Sequence, residues 1–216
     1  MSRVRLFFWI VLVGGIGAVN YAAYGKTSGH SDDIYKWSTF VAEVVFYGIV
    51  FGITLLIALD RWDLFALRLP NGFRRVAGLA FGVVASILAL EYLVVLLPIE
   101  NPGKEQGLAP THWEPSHAGA FAANVAVFCA LAPVVEELLF RGVGYSLLRP
   151  LGAAPAVLLV GIAFGIWHGL LIALLILVPF GSLLAYLRER TDSVVPGMVV
   201  HALFNAAAIT VSVLNL

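Results

Sequence analysis

Residues 117–148 read HAGAFAANVAVFCALAPVVEELLFRGVGYSLL, an unbroken apolar run that carries Glu136-Glu137-Leu138-Leu139-Phe140-Arg141 just after Pro133. A helix crosses a bilayer with about 20 apolar residues, and a charge at its centre costs at least ~2.5–3.5 kcal/mol. Two later apolar runs carry polar pairs at one-turn spacing: Phe164-Gly165-Ile166-Trp167-His168 and His201-Ala202-Leu203-Phe204-Asn205. Ionisable groups held within a membrane face a protein interior or a water-filled cavity, and by default they mark a functional site.

The rest of the chain has the composition of a membrane protein. Of its 216 residues, 61% are hydrophobic and 12% charged, whereas a soluble domain is nearer half apolar and a quarter charged. This predicts an all-α, polytopic transmembrane helical bundle in a single membrane domain over residues 1–216. The formal net charge is zero, which offers nothing to a nucleic acid; the predicted surroundings are the lipid bilayer. The single cysteine, Cys129, excludes an intramolecular disulfide and reads as a small packing residue.

Apolar length and flanking charge predict about seven spans, near 6–24, 38–59, 76–98, 117–148, 153–171, 172–187 and 196–214. The first is expected to be a retained helix, being long for a signal peptide. Segment 60–75 is basic and aromatic and could hold an interfacial helix; segment 99–116 reads as a loop. The least determined stretch is 153–187, roughly 52 Å as one helix, with bends available at Gly169, Pro179 and Gly181; two short helices and one span with a re-entrant segment are both open. With seven spans and the N-terminus inside, Arg3, Arg5, Arg61, Arg68, Arg74, Arg75, Arg141, Arg149, Arg188 and Arg190 fall on the cytoplasmic side. Only Lys26, Lys36 and Lys104 fall opposite. That bias predicts an N-in, C-out multi-pass protein of a plasma (inner) membrane.

Neighbouring helical residues point ~100° apart, so Glu136 and Glu137 cannot face one point equally. Glu137 and Arg141, at i,i+4, can pair on one face, which leaves Glu136 as the freer carboxylate. His201 and Asn205 share a face for the same reason. Counted from the predicted cytoplasmic ends at 1.5 Å per residue, Glu136 lies ~18 Å, His168 ~22 Å and the His201–Asn205 pair ~8–14 Å into the membrane. Three helices could thus meet at one pocket toward the cytoplasmic half. His30, His112 and His117 fall in outer loops or at a span edge and read as solvated.

A buried carboxylate is a suitable general base, a histidine beside it can share a water, and a second histidine and an amide can donate to the oxyanion of a tetrahedral intermediate. The set suits water attack on an amide without a cofactor. One carboxylate and two histidines are also a catalytic zinc set, with Glu136, His168 and His201 as ligands and Glu137 as the base. The metal-free scheme is the preferred reading, because neither histidine sits in an H-E-x-x-H motif.

Taken in order on successive apolar runs, E-E-x-x-x-R, F-x-x-x-H and H-x-x-x-N resemble the CPBP family (CAAX proteases and bacteriocin-processing enzymes, the Abi family), which is related to the Ras-converting CAAX prenyl endopeptidases. The resemblance covers about residues 118–210 as a catalytic core, with residues 1–117 as additional N-terminal spans. It implies an intramembrane endopeptidase acting on a membrane-associated, prenylated or other peptide substrate. It also implies that Glu136 and His168 activate water and that His201 and Asn205 hold the oxyanion; Glu137 is read as part of this catalytic set in a supporting role, with Arg141 and Phe164 as supporting residues. Two other readings compete: a proton-coupled transporter using the carboxylates and His168 as a relay, and a non-catalytic membrane partner whose polar cluster holds helices together.

Overall fold

The computed structural model of the chain describes residues 2–23, 32–97, 110 and 112–214, and among these it is helical and without strands. The helices are α1 (Arg3–Ala23), α2 (Trp37–Ile57), α3 (Phe73–Val95), α4 (Pro115–Leu151), α5 (Ala153–Trp167), α6 (Leu174–Thr191) and α7 (Val195–Leu214). They follow the seven predicted apolar runs. Five of them, α1 to α4 and α7, are long and apolar enough to cross a membrane. α5 is apolar but only 15 residues long, and α6 ends in the charged group Arg188-Glu189-Arg190.

The distribution of polarity is that of a membrane bundle. Large apolar side chains stand exposed around the outside, among them Phe7, Phe8, Ile49, Leu56, Phe81 and Leu88, while Glu136, Glu137, Arg141 and His201 are buried. A water-soluble fold places these classes the other way round. The exposed apolar ring matches lipid tails, and the polar groups find partners inside.

α4 is the centre of the fold, and its second half is sheathed on all sides: every residue from Val135 to Tyr145 is buried. Its path is not uniform. Two π-helical segments, Val127–Leu131 and Leu138–Gly144, flank the α-helical turns of Ala132–Glu137. Each wide turn carries a carbonyl that another helix uses. Leu139 O accepts from the Trp9 indole Nε1 at 3.0 Å, and Phe128 O is taken by α7, as described below. Pi-bulges of this kind concentrate at functional sites.

The stretch left open in the sequence resolves into two short antiparallel helices, α5 and α6, packed tightly against each other. Gly161 and Gly181 make this approach possible, since a Cβ on Gly181 would lie 3.0 Å from the Gly161 Cα. The reversal occurs at Gly169, whose φ of +67 favours glycine; Pro179 lies inside α6. α5 therefore stops at Trp167 and delivers His168 to the interior.

Segment 60–75 contains a single short turn, Trp62–Phe65, whose Leu64 and Phe65 side chains are buried. They dock against Gly142 of α4, where a Cβ would lie 3.2 Å from the Phe65 Cα. The carbonyls of Leu64 and Arg68 accept from Ser146 Oγ and Ser193 Oγ. These protein contacts fix the turn to the bundle. His112 and His117 are exposed, as expected, and His30 lies outside the described residues.

Candidate active site

A cavity of about 490 Å³ opens among the helices. Each helix contributes a stripe at helical spacing: Phe128, Ala132 and Glu136 from α4; Phe164, Trp167 and His168 from the end of α5; His201, Phe204, Asn205, Ala208 and Ile209 from α7. α2 adds Ala42, Glu43, Phe46 and Tyr47. The three motifs thus reach one cavity through Glu136, Phe164, His168, His201 and Asn205. Glu137 and Arg141 lie behind its wall.

Glu136 is 3% exposed. Its Oε1 accepts from the Tyr47 hydroxyl at 2.7 Å, and its Oε2 lies 3.7 Å from His201 Nε2. The adjacent Glu137 turns away. It pairs with Arg141 at 2.8 Å with neither side chain exposed, and its Oε1 also meets His201 Nδ1 at 3.2 Å. Its Oε2 faces Gly197 of α7, where a methyl group would lie 2.6 Å from that oxygen. With Oε1 held by Arg141 and His201, Glu137 could not yield without loosening one of them, so a side chain at 197 is incompatible with this cluster. Arg141 is further fixed by donating from Nη2 to Gly181 O at 3.1 Å and by stacking 4.3 Å over the Phe164 ring.

His201 therefore stands between two carboxylates. A carboxylate accepts, so the Nδ1 facing Glu137 carries hydrogen, and Nε2 faces Glu136 and the cavity. Asn205, one turn later, donates from Nδ2 to Phe128 O at 2.8 Å. That carbonyl lacks its helical partners for two local reasons. The amide of Ala132 bonds back to Val127 O in the π-turn, and Pro133 has no N–H. The π-turn and the proline thus build an acceptor that aligns Asn205, and the second amide hydrogen of Asn205 stays available.

His168 is fixed by its own helix. Nδ1 lies 2.8 Å from Phe164 O; a carbonyl only accepts, so Nδ1 donates and Nε2 keeps its lone pair. Phe164 is the hub of the site, with its ring 4.6 Å from the imidazole of His168 and 5.6 Å from that of His201. The F-x-x-x-H spacing has a physical basis here: one phenylalanine supplies the carbonyl that sets the tautomer and the ring that spaces both imidazoles. From α1, Asn20 Nδ2 donates to the last carbonyl of α5, Trp167 O, at 2.6 Å. The chain at Gly169 passes so near Asn20 that a Cβ there would overlap it.

Among the described residues, no three His, Cys, Asp or Glu side chains converge as a metal site. His201 has one nitrogen turned to Glu137 and the other 3.7 Å from Glu136. Cys129 does not line the cavity.

Three polar cavity residues escaped the sequence motifs: Asn20, Glu43 and Tyr47. Glu43 and Tyr47 are i,i+4 within an apolar span, so the rule that flagged Glu136 applies to them as well. Tyr47 is the donor that orients Glu136. Replacing Tyr47 by phenylalanine removes one hydrogen bond to a charged group, worth ~1.5–3 kcal/mol. Single-turnover cleavage should therefore slow about ten- to hundredfold with the fold retained; a Tyr47→Phe protein that cleaves at the wild-type rate would show that Glu136 does not depend on it.

Residues 118–207 match the family model described as type II CAAX prenyl endopeptidase Rce1-like. The match contains all three motifs and is in keeping with the CPBP and CAAX-protease resemblance; α1 to α3 lie outside it. It supports an intramembrane endopeptidase in general, an integral membrane protein acting on a membrane-associated peptide or protein. Comparison with curated proteins gave no match, and neither did comparison with solved structures.

Proposed function

We propose that this chain hydrolyses a peptide bond within the membrane, using Glu136 and His168 to activate water and His201 and Asn205 to hold the oxyanion. The observation that carries the reading is the placement of Glu136: a buried carboxylate, fixed by Tyr47, facing a cavity that also receives the free Nε2 of His168. A water between them would give a proton to Glu136 as its oxygen attacks the carbonyl carbon. Glu136 would return that proton to the departing amine. The oxyanion would accept from the spare amide hydrogen of Asn205 and from Nε2 of a protonated His201. Glu137, opposite Nδ1, stabilises that imidazolium and is itself balanced by Arg141, so Glu137 is a positioning residue. Donors preorganised in a water-poor site are strong stabilisers of developing charge.

The proposed scheme runs on these side chains alone. Detergent-purified protein should therefore cleave a membrane-presented peptide library, prenylated and unprenylated, equally well before and after chelation. Stoichiometric zinc with chelator-sensitive cleavage would instead make Glu136, His168 and His201 ligands. Peptide uptake into proteoliposomes without cleavage would favour a transporter.

The arginine bias supports an N-in, C-out arrangement with the cavity toward the cytoplasmic half. A reporter active only in the cytoplasm should be silent when fused to the C-terminus; a bright fusion would reverse the topology.

A further inference from the structure

The cavity holds a carboxylate that the mechanism does not use. Glu43 of α2 lines it and is half-buried. Among the described residues Glu43 makes no hydrogen bond or ion pair, and it shares the cavity with Glu136. Among the described residues, no lysine or arginine lines the cavity. The buried cation nearest in role, Arg141, sits behind the wall and is bound to Glu137. Three carboxylates, Glu43, Glu136 and Glu137, therefore stand against one guanidinium. With that guanidinium taken by Glu137, Glu43 remains without a counter-charge in a region where an unpaired charge is costly.

Resting on the protease reading of this cavity, we infer that Glu43 is a specificity determinant that receives a lysine or arginine side chain of the substrate next to the scissile bond. A cation entering the cavity would pair with Glu43 in a low-dielectric setting, where a close pair gains most. An acidic side chain, or a free C-terminal carboxylate placed beside the bond, would meet Glu43 and Glu136 with no cation to balance it. The cavity's other walls, Phe46, Trp167, Leu177 and Phe180, are apolar and can hold the stem of a long basic side chain. The substrate class is thus a membrane-associated peptide cut at an internal bond flanked by a basic residue.

The test compares peptides that differ at one position. A lipid-anchored peptide library reconstituted with the full-length protein carries lysine, norleucine or glutamate at each position flanking the bond, and products are mapped by mass spectrometry. Wild-type protein should cleave the lysine peptides about tenfold or more faster than the norleucine peptides, and the glutamate peptides slowest. Glu43→Gln should bring the lysine-to-norleucine ratio close to one, and Glu43→Lys should turn the preference toward glutamate. Each ratio is taken within one variant, so a general loss of activity does not disturb it. Cleavage with no charge preference in the wild type, or a lysine preference unchanged in Glu43→Gln, overturns the inference while leaving the protease reading intact. If Glu43→Lys fails to fold, Glu43→Gln alone decides. Absence of any cleavage that Glu136→Gln abolishes overturns both.

Discussion

Replacing Glu136 by glutamine should abolish peptide cleavage, by about a thousandfold or more, while the protein folds and purifies as before. Glutamine keeps the volume and can still accept from the Tyr47 hydroxyl that now bonds Oε1 at 2.7 Å. What it removes is the ability to take a proton from water, and general base catalysis contributes ~10²–10⁴-fold. At 1.36 kcal/mol per tenfold, a thousandfold loss is about 4 kcal/mol of transition-state stabilisation. Stability should move the other way or not at all. Glu136 has no cation of its own, since Arg141 belongs to Glu137, and an uncompensated buried charge is a burden on the fold. A thermal midpoint equal to or above wild type, together with lost cleavage, is the pattern of a site residue held at the expense of stability. Cleavage by Glu136→Gln within tenfold of wild type would remove Glu136 from the reaction.

The burial of Glu136, Glu137 and Arg141 could be reached from sequence because lipid makes polar residues conspicuous. In a run such as residues 117–148, two carboxylates and an arginine have no solvent to face, so their presence alone implies a protein interior. The i,i+4 spacing of Glu137 and Arg141 also anticipated their pairing, seen at 2.8 Å, and the seven apolar runs anticipated the helices.

Other features depended on three-dimensional contacts that no spacing encodes. The freeing of Phe128 O needs the π-turn and Pro133 together, and only the fold brings Asn205 of α7 to it. The end of α5 is set by Gly169 passing against Asn20 of α1, a contact between residues far apart in the chain. α2 carries no motif, so its contribution of Glu43 and Tyr47 was legible only as two polar residues one turn apart in an apolar helix. Segment 60–75 was legible only as basic and aromatic; that Leu64 and Phe65 anchor it on Gly142 depends on the fold.

The largest effect on stability should come from Arg141→Met. Arg141 is 0% exposed, bonds Glu137 and Gly181 O, and lies 4.3 Å over Phe164. Methionine fills part of that volume but leaves Glu137 buried with only His201 as a partner. Removing one member of a buried pair costs ~3–5 kcal/mol, read as a lower midpoint of thermal unfolding in detergent. The second substitution separates charge from packing. In Arg141→Met with Glu137→Gln the stranded carboxylate is gone, so more than about half of the lost stability should return, a coupling expected for residues in contact. Cleavage should not return with it, because a neutral glutamine no longer supports the imidazolium of His201 on which the oxyanion depends. If the double variant is as unstable as Arg141→Met, the contribution of Arg141 is its contacts with Phe164 and Gly181 rather than the neutralisation of Glu137. If the double variant is stable and cleaves at the wild-type rate, Glu137 has no part in holding His201 for catalysis, and the motif's second glutamate serves packing alone.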